Sequence, residues 1–339
     1  MRRILVTGAT GGLGHNAVDF LLQRGIAVRA TGRNRNIGAV LADKGAQFIP
    51  ADLATISQEE AARLVDGVDA VWHCAALSAP WGPRQAFELC NVTATETLLT
   101  AATAARVPRF IHISTPALYF QYKHHLNVPE CFQAPRFVND YARTKALAEE
   151  RIQTICTQQA ETTAVILRPR AIFGPYDQVL IPRLARVMKQ RGGVLPLPRG
   201  GDTVLDVTFA ENVVHAMWLA SNQVNLISGA TYNITNDAPT TIRSVLETLF
   251  MREMGQRLHI PRIPYPVMAT AACLMETAAL FTRKEPMLTA YSLGVLAYDM
   301  TLDISKAKKE LGYQAIVSLD DGIAKTAHWL KKNGETAFV

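Results

Sequence analysis

The chain has 339 residues, enough for two ordinary domains or for one large fold with an appended lobe. Hydrophobic residues make up 49% and charged residues 19%, which excludes whole-chain disorder and a collagen-like chain. Lysine and arginine outnumber aspartate and glutamate by 35 to 29, a net charge of +6, but they are scattered rather than gathered in a stripe or tail, so no nucleic-acid partner is expected.

In chain order, Met1 to Val6 resembles the start of a secretion signal for three apolar residues, but Thr7 and the glycines end the run, so secretion is not expected. Ile4-Leu5-Val6 reads as the first strand, followed by glycines and an amphipathic helix through Leu21-Leu22. Further strands are expected at Ala27–Ala30, Gln47–Ile49, Ala70–His73, Phe110–Ile113 and Ala164–Leu167, with helices at Ala94–Ala105 and Asp140–Thr157. Strands alternating with helices at these lengths predict an α/β fold, a doubly wound parallel sheet covered on both faces. After Pro169 the prolines at 175, 182, 196 and 198 break the pattern and predict a smaller substrate-binding lobe. A helix near Asn212–Ala220 and a strand at Thr231–Ile234 predict a return to the sheet. The expected division is therefore a Rossmann part at 1–170 that 205–235 rejoins, and a lobe from 171–204 and 236–339.

Pro266–Phe281 is apolar, but about 16 residues is short of a membrane span and Glu276 interrupts it. It reads as a buried or half-buried helix, with a lid over an apolar substrate or a peripheral membrane contact as alternatives. The cysteines at 74, 90, 131, 156 and 273 are odd in number and lack a C-x-x-C pair. Neither a disulfide framework nor a structural zinc site is expected, and a reducing, cytoplasmic compartment fits.

Thr7-Gly8-Ala9-Thr10-Gly11-Gly12-Leu13-Gly14 leaves a strand and opens a helix. Such glycines permit a tight turn and let backbone approach a pyrophosphate, while the helix N-terminus supplies free N–H groups and a positive dipole. At the end of the second strand, where an NAD-binding chain places a carboxylate for the ribose 2′-hydroxyl, this chain has Thr31-Gly32-Arg33-Asn34-Arg35. The fork of Arg33, with charge from Arg35, suits a 2′-phosphate, so NADP(H) is the expected cofactor. Asp52-Leu53 after the third strand is placed to contact the adenine side, or serves only as a local cap.

Tyr141 and Lys145 stand four apart on one face of a helix. A free phenol titrates near 10, and a neighbouring ammonium brings it toward usefulness as an acid and base. Ser114-Thr115 ends the fifth strand, where parallel sheets bind ligands, and offers a hydroxyl to a substrate carbonyl.

Taken with His73-Cys74-Ala75-Ala76, Asn91-Val92, Ile113-Ser114-Thr115 with Tyr119, Leu167-Arg168-Pro169 and Gly174-Pro175, these motifs make the sequence resemble the extended short-chain dehydrogenase/reductases. Arg168–Pro175, Thr301–Ala307 and Leu311-Gly312-Tyr313 are most similar to the 3β-hydroxysteroid dehydrogenase-like branch, which acts on alcohols and ketones of steroids and other lipid-like molecules. The resemblance implies that Thr115 orients the substrate oxygen, Tyr141 is the acid/base and Lys145 binds the nicotinamide ribose, with Ser114 in support. It places Ala75, Ala76, Asn91, Pro169, Ala171 and Ile172 along the cofactor and implies a homodimer through paired helices, one containing Tyr141.

The expected activity is NADP(H)-dependent reduction of a ketone, or oxidation of its alcohol, on a hydrophobic lipid-like, steroid-like or β-keto acid substrate. Pro116-Ala117 after Thr115 replaces the acidic residues of dehydratases, so dehydration is not expected. A nucleotide-sugar epimerase keeps the same catalytic set and is the main alternative. Arg183, Arg186 and Lys189 could grip its diphosphate or form a solvated face. Leu180-Ile181-Pro182 and the apolar 266–281 segment favour a greasy substrate. A non-catalytic NADP(H) sensor is a further alternative, against which the intact Thr115, Tyr141 and Lys145 count. Among the remaining residues, His124-His125 reads as a solvated loop and His73 as a core residue. Asp206, Glu211 and Asn212 read as a strand end and helix cap. Trp81, Phe87, Tyr119, Phe120 and Tyr122 are candidates for a pocket wall or for core.

Overall fold

A computed structural model describes residues 1–159, 161–178, 180–282 and 284–333, apart from the side chains of Leu180, Pro182, Arg183 and Leu280. The β-branched runs become β1 (Arg3–Thr7), β2 (Ala27–Gly32), β3 (Gln47–Pro50), β4 (Ala70–His73), β5 (Arg109–Ile113), β6 (Thr163–Pro169) and β7 (Ala230–Ile234). They form one seven-stranded sheet in the order β7-β6-β5-β4-β1-β2-β3, with every pairing parallel. Strand order reverses between β1 and β4, which opens a crevice at the carboxyl ends of the strands.

The period-2 alternation of each strand divides the core in two. Ile4, Val6, Trp72, Ile111, Val165 and Leu167 face one layer, packed under α1 (Gly12–Leu22) and α6 (Ala210–Asn222). Leu5, Val71, Phe110, Ala164 and Ile166 face the other layer. That layer is covered by α3 (Gln58–Val65), α4 (Ala94–Ala104) and α5 (Asp140–Gln158), while α2 (Arg35–Asp43) follows β2 at the edge. Such two-sided burial is why these strands read as short continuous apolar runs. As expected, 230–234 returns to the sheet, pairing with β6 from Ala230↔Val165 to Ile234↔Pro169.

A second sheet of four short strands runs in the order Thr240–Thr241, Val204–Leu205, Met300–Leu302 and His125–Val128. Beside it a separate apolar cluster gathers Phe173, Ile181, Leu205, Phe209, Leu249, Phe250 and Ile323. Two expectations need correction here. His124-His125 is not a free loop, because His125 pairs with Met300 and His124 lies 2.9 Å from the Asp299 carboxylate. Asn212 is not a helix cap, because α6 already starts at Ala210. Its amide is fully buried, donating to the Val317 carbonyl at 2.8 Å and accepting from Val317 N–H at 2.9 Å, and so pins the C-terminal segment.

Phe87 and Tyr119 belong to the core rather than to a pocket wall. The Thr301–Ala307 and Leu311–Tyr313 motif is also structural. Lys306 reaches the Thr231 carbonyl at 3.0 Å and the Tyr313 hydroxyl the Thr235 carbonyl at 2.8 Å, tying this segment to β7. The apolar segment forms the helix Tyr265–Thr282, but Val267, Leu274 and Phe281 are 62%, 67% and 84% exposed, so it is not a core helix. Among the described residues, no helix is long and apolar enough to cross a membrane. Glu276 within it caps the following helix, accepting from Ala290 N–H at 3.0 Å.

A tight backbone constraint lies at Gly14 in α1, where a Cβ would stand 2.2 Å from the Gly8 carbonyl oxygen. Backbone meets backbone there, so no side-chain rotation relieves it. Gly14→Ala is expected to destabilise the chain by about 1–3 kcal/mol, read as a lower urea midpoint at unchanged slope.

Candidate active site

The crevice is floored by the glycine loop. Gly8 sits at φ +62°, and a Cβ on it would lie 2.7 Å from Ala75 N. The loop therefore presses against the chain leaving β4, where Ala75 and Ala76 stand. Its turn is closed by Gly11 N–H to the Gly8 carbonyl at 2.9 Å. Helix α1 begins after Gly11 with no side-chain cap and no acidic residue in its first turn. Its first N–H groups, with those of Gly12 and Leu13, are therefore left to a ligand, and a diphosphate fits this cradle. The segment after Gly174, which carried no sequence signal beyond its proline, lies against the loop. Asn16 donates to the Pro175 carbonyl at 2.8 Å and Gln178 to the Thr10 carbonyl at 3.3 Å.

At the neighbouring strand ends, Arg33 and Arg35 are exposed, and Asn34 between them caps α2 by accepting from Asn36 and Ile37 N–H. The Cys90 thiol, raised by burial, feels Arg33 and Asp52 with opposite sign, so both charges flank one place. Asp52 also accepts from Ala54 N–H at 3.1 Å, fixing its own turn, and Leu53 is buried below. An arginine beside an adenosine subsite fits a 2′-phosphate.

At the end of β5, Thr115 accepts from Ala117 N–H at 3.2 Å. Helix α5 starts one residue before Tyr141, capped by Asn139, whose oxygen accepts from Ala142 N–H at 2.8 Å. The Tyr141 hydroxyl lies within reach of the Thr115 and Ser78 side chains, and burial outweighs their pull to hold its pKa above the ordinary phenol value. Ser78, in the chain after β4, was not anticipated, and nothing local in the sequence marks it.

Lys145 is only 1% exposed, donating to the Ile113 carbonyl at 2.7 Å and meeting His112 Nε2 at 2.9 Å. Burial lowers its pKa to about 7, with Glu149 pulling upward. His112 is held neutral by burial and then by Lys145, so it accepts the bond.

Two hydrogen-bond systems fix these groups. Asn91, in a π-helical turn (Glu88–Thr93) preceding α4, is fully buried. It accepts from Leu77 N–H at 2.7 Å and donates to the Leu77 carbonyl at 3.2 Å and to Thr144 Oγ1 at 3.0 Å. It thus clamps the chain carrying Ala75, Ala76 and Ser78 to the helix carrying Tyr141 and Lys145, and its amide has no donor left for a ligand. On the opposite side Glu149 forms a bidentate ion pair with Arg168 and accepts from Ser114. Arg168 also reaches the Tyr119 hydroxyl and the Glu130 carbonyl.

Pro169 is buried at the end of β6. Ala171 takes a φ of +43°, and Ile172 enters a short strand pairing with Thr208. Of the diphosphate candidates, Arg186 and Lys189 stand on an exposed helix face, and the Arg183 side chain lies outside the described residues, as do those of Leu180 and Pro182.

A parallel sheet with a glycine cradle, a serine/threonine strand end and a tyrosine–lysine helix defines a nucleotide-binding oxidoreductase of the extended short-chain dehydrogenase/reductase type. The chain belongs to the NAD dependent epimerase/dehydratase family, whose model matches residues 4–235.

It is 48% identical over 335 residues to the uncharacterized protein YbjS of Escherichia coli (strain K12), covering 98% of this chain and 99% of that one. It is 30% identical to a 2-alkyl-3-oxoalkanoate reductase of Shewanella oneidensis, covering 94% and 84%. A sterol-4-alpha-carboxylate 3-dehydrogenase of Candida albicans is 31% identical, with 74% and 73% covered, and carries the 3β-hydroxysteroid dehydrogenase-like resemblance. The UDP-glucuronic acid 4-epimerase of Bacillus cereus, solved with NAD, superposes with a TM-score of 0.77 at 22% identity over 98% of this chain and 97% of that one, which shows the shared fold.

Because Lys145 is buried neutral above about pH 7 while the unfolded chain keeps the proton to about 10.5, the unfolded state binds more protons across that window. Stability of the nucleotide-free chain relative to Lys145→Met is therefore expected to rise with pH from about 7 toward 10.5. Paired urea titrations check this, and a pH-independent difference would mean that the folded lysine stays charged.

Proposed function

We propose that the chain is an NADP(H)-dependent reductase of a ketone, or dehydrogenase of the matching secondary alcohol, on a lipid-like, steroid-like or β-keto acid substrate. The reading rests chiefly on the Tyr141 hydroxyl within reach of Thr115 at the carboxyl edge of the sheet, beside the glycine cradle. The reductase and dehydrogenase names of the relatives support it. The absence of a carboxylate from Thr31–Arg35, and the exposed Arg33 there, support NADP over NAD.

The nicotinamide, when bound, supplies or takes up the hydride. Thr115 holds the substrate oxygen, and Tyr141 beside it gives that oxygen its proton during reduction and, as phenolate, removes it during oxidation. Lys145 stands one helical turn along the same face, placed to hold the ribose. Gly8, Thr10, Gly11, Gly12, Leu13 and Gly14 hold the diphosphate, and Ala75, Ala76, Pro169, Ala171 and Ile172 line the nicotinamide half. In this reading 171–204 and 236–339 bind the substrate, the enzyme works in the cytoplasm as a homodimer, and the exposed side chains of Tyr265–Thr282 touch a membrane surface.

Steroid, long-chain 3-oxo and small aromatic ketones presented with NADPH test the reaction. Net NADPH oxidation is expected with the lipid-like ketones, whereas turnover of a nucleotide sugar without net cofactor change would replace this reading by epimerisation. Tyr141→Phe is expected to lower the rate on the order of 10²–10⁴-fold, and full retention would exclude this acid/base assignment. Arg33→Ala is expected to raise KM for NADPH far more than for NADH, and equal effects would remove the 2′-phosphate role.

A further inference from the structure

Two arginines sit two residues apart at the end of β6, and the fold treats them oppositely. Arg168 is fully engaged, with Glu149, Tyr119 and the Glu130 carbonyl around its guanidinium. Arg170 is 5% exposed, yet its Nε and Nη2 have no hydrogen-bond partner among the described residues. Its backbone is held firmly, with its N–H on the Ile234 carbonyl at 3.1 Å and its carbonyl accepting from Thr208 at 2.6 Å. The next residue, Ala171, is in the left-handed region that favours glycine, a strain kept where position matters.

The charges acting on Arg170 are those of Tyr291 and Asp206, but Asp206 forms no ion pair with it among the described residues. It spends an oxygen on Leu302 N–H at 2.7 Å, and burial raises its pKa to about 6. A buried guanidinium with free N–H groups is costly unless a ligand completes it.

The position of Arg170 shows where that ligand would lie. It directly follows β6, the strand paired with β5, after whose end stands Thr115. Tyr291 is acted on by the charges of both Arg170 and Tyr141, so one aromatic ring stands within electrostatic reach of both. That ring packs edge-on against Phe120 at 5.6 Å, and Phe120 continues through Tyr122 and Tyr298 to Tyr265 at the start of the exposed apolar helix. An unpaired buried cation one strand from Thr115, beside the packed aromatic cluster of Phe120 and Tyr291, suits an anionic group on an apolar body.

We propose that Arg170 is a substrate-anchoring residue that binds the carboxylate next to the reacting carbon of the β-keto acid, or of its 3-hydroxy counterpart, already proposed as a substrate. This rests on the ketone-reductase reading of the site. In the alcohol direction the C3–H leaves as hydride to the oxidised nicotinamide and the O–H proton passes to the Tyr141 phenolate, while the carboxylate stays unchanged on the guanidinium fork.

The test compares a long-chain 3-hydroxy acid with its methyl ester, using NADP⁺ and the wild-type, Arg170→Met and Arg170→Lys proteins. The acid is expected to have the lower KM in the wild type. The acid-over-ester preference should fall on the order of 10- to 100-fold in Arg170→Met and recover in part in Arg170→Lys. Arg170→Met should fold with an unchanged or higher melting temperature, since it removes an unpaired buried charge.

An unchanged acid-over-ester ratio, or a loss confined to kcat and equal for both compounds, would overturn the proposal. So would a rise in KM for NADP⁺ alone. If the wild type oxidises neither compound, the ketone-reductase reading fails, and thermal protection then decides the anchor. Protection of the wild type but not of Arg170→Met by the acid, and of neither by the ester, supports it, and equal protection overturns it. Should Arg170→Met not fold, the same comparison in Arg170→Lys decides.

Discussion

The buried ion pair between Glu149 and Arg168 governs the geometry on which the site depends. Burying two charges costs several kcal/mol per ion, which only good geometry and further hydrogen bonds offset. Here the guanidinium fork meets both carboxylate oxygens, Ser114 donates to the same carboxylate, and Tyr119 and Glu130 take the remaining fork. A planar bidentate pair fixes direction as well as distance. Glu149 is four residues beyond Lys145 and eight beyond Tyr141, on the same face of α5. Fixing Glu149 against β5 and β6 therefore sets the rotation of the whole helix and brings the tyrosine hydroxyl to Thr115.

Charge at the carboxyl edge of the sheet follows one pattern. The α1 N-terminus is uncapped, Arg33 is exposed, Lys145 is buried with a lowered pKa, and Arg170 is buried with open N–H groups. Each is a positive group that the protein leaves short of a negative partner, and an anionic ligand is what such groups have in common. The net charge of +6, scattered along the sequence, thus acquires local meaning only at this edge. Arg168 shows the contrast, since the same residue type, two positions earlier, is neutralised by the fold and serves rigidity.

Much of the fold was legible in the sequence because its elements are local. Seven strands fall where short β-branched runs end in turns, and the return at 230–234 was readable from Thr231-Tyr232-Asn233-Ile234. The reading failed where a residue's partner is distant. His125 looked solvated because its strand partner, Met300, lies far along the chain. Asn212 looked like a cap because asparagine commonly caps helices, whereas its partners are at Val317. The apolar run at 266–281 left a buried or half-buried helix, a lid and a membrane-surface helix open, because apolarity does not say whether another layer covers it.

What the sequence determined by itself is the set of locally encoded parts: the glycine turn that brings β1 to α1, the arginine in place of a carboxylate after β2, and the four-residue spacing of Tyr141 and Lys145. Backbone conformation and helical period are properties of neighbours, so these need no tertiary information. Only the tertiary structure decided which polar groups are satisfied. It clamped Asn91 to Leu77 and Thr144, brought Ser78 to Tyr141, moved Lys145 onto His112, and gave Arg168 its carboxylate while leaving Arg170 without one. The physical reason is that a buried charge is defined by what surrounds it in space, and here those surroundings come from strands and loops tens of residues apart.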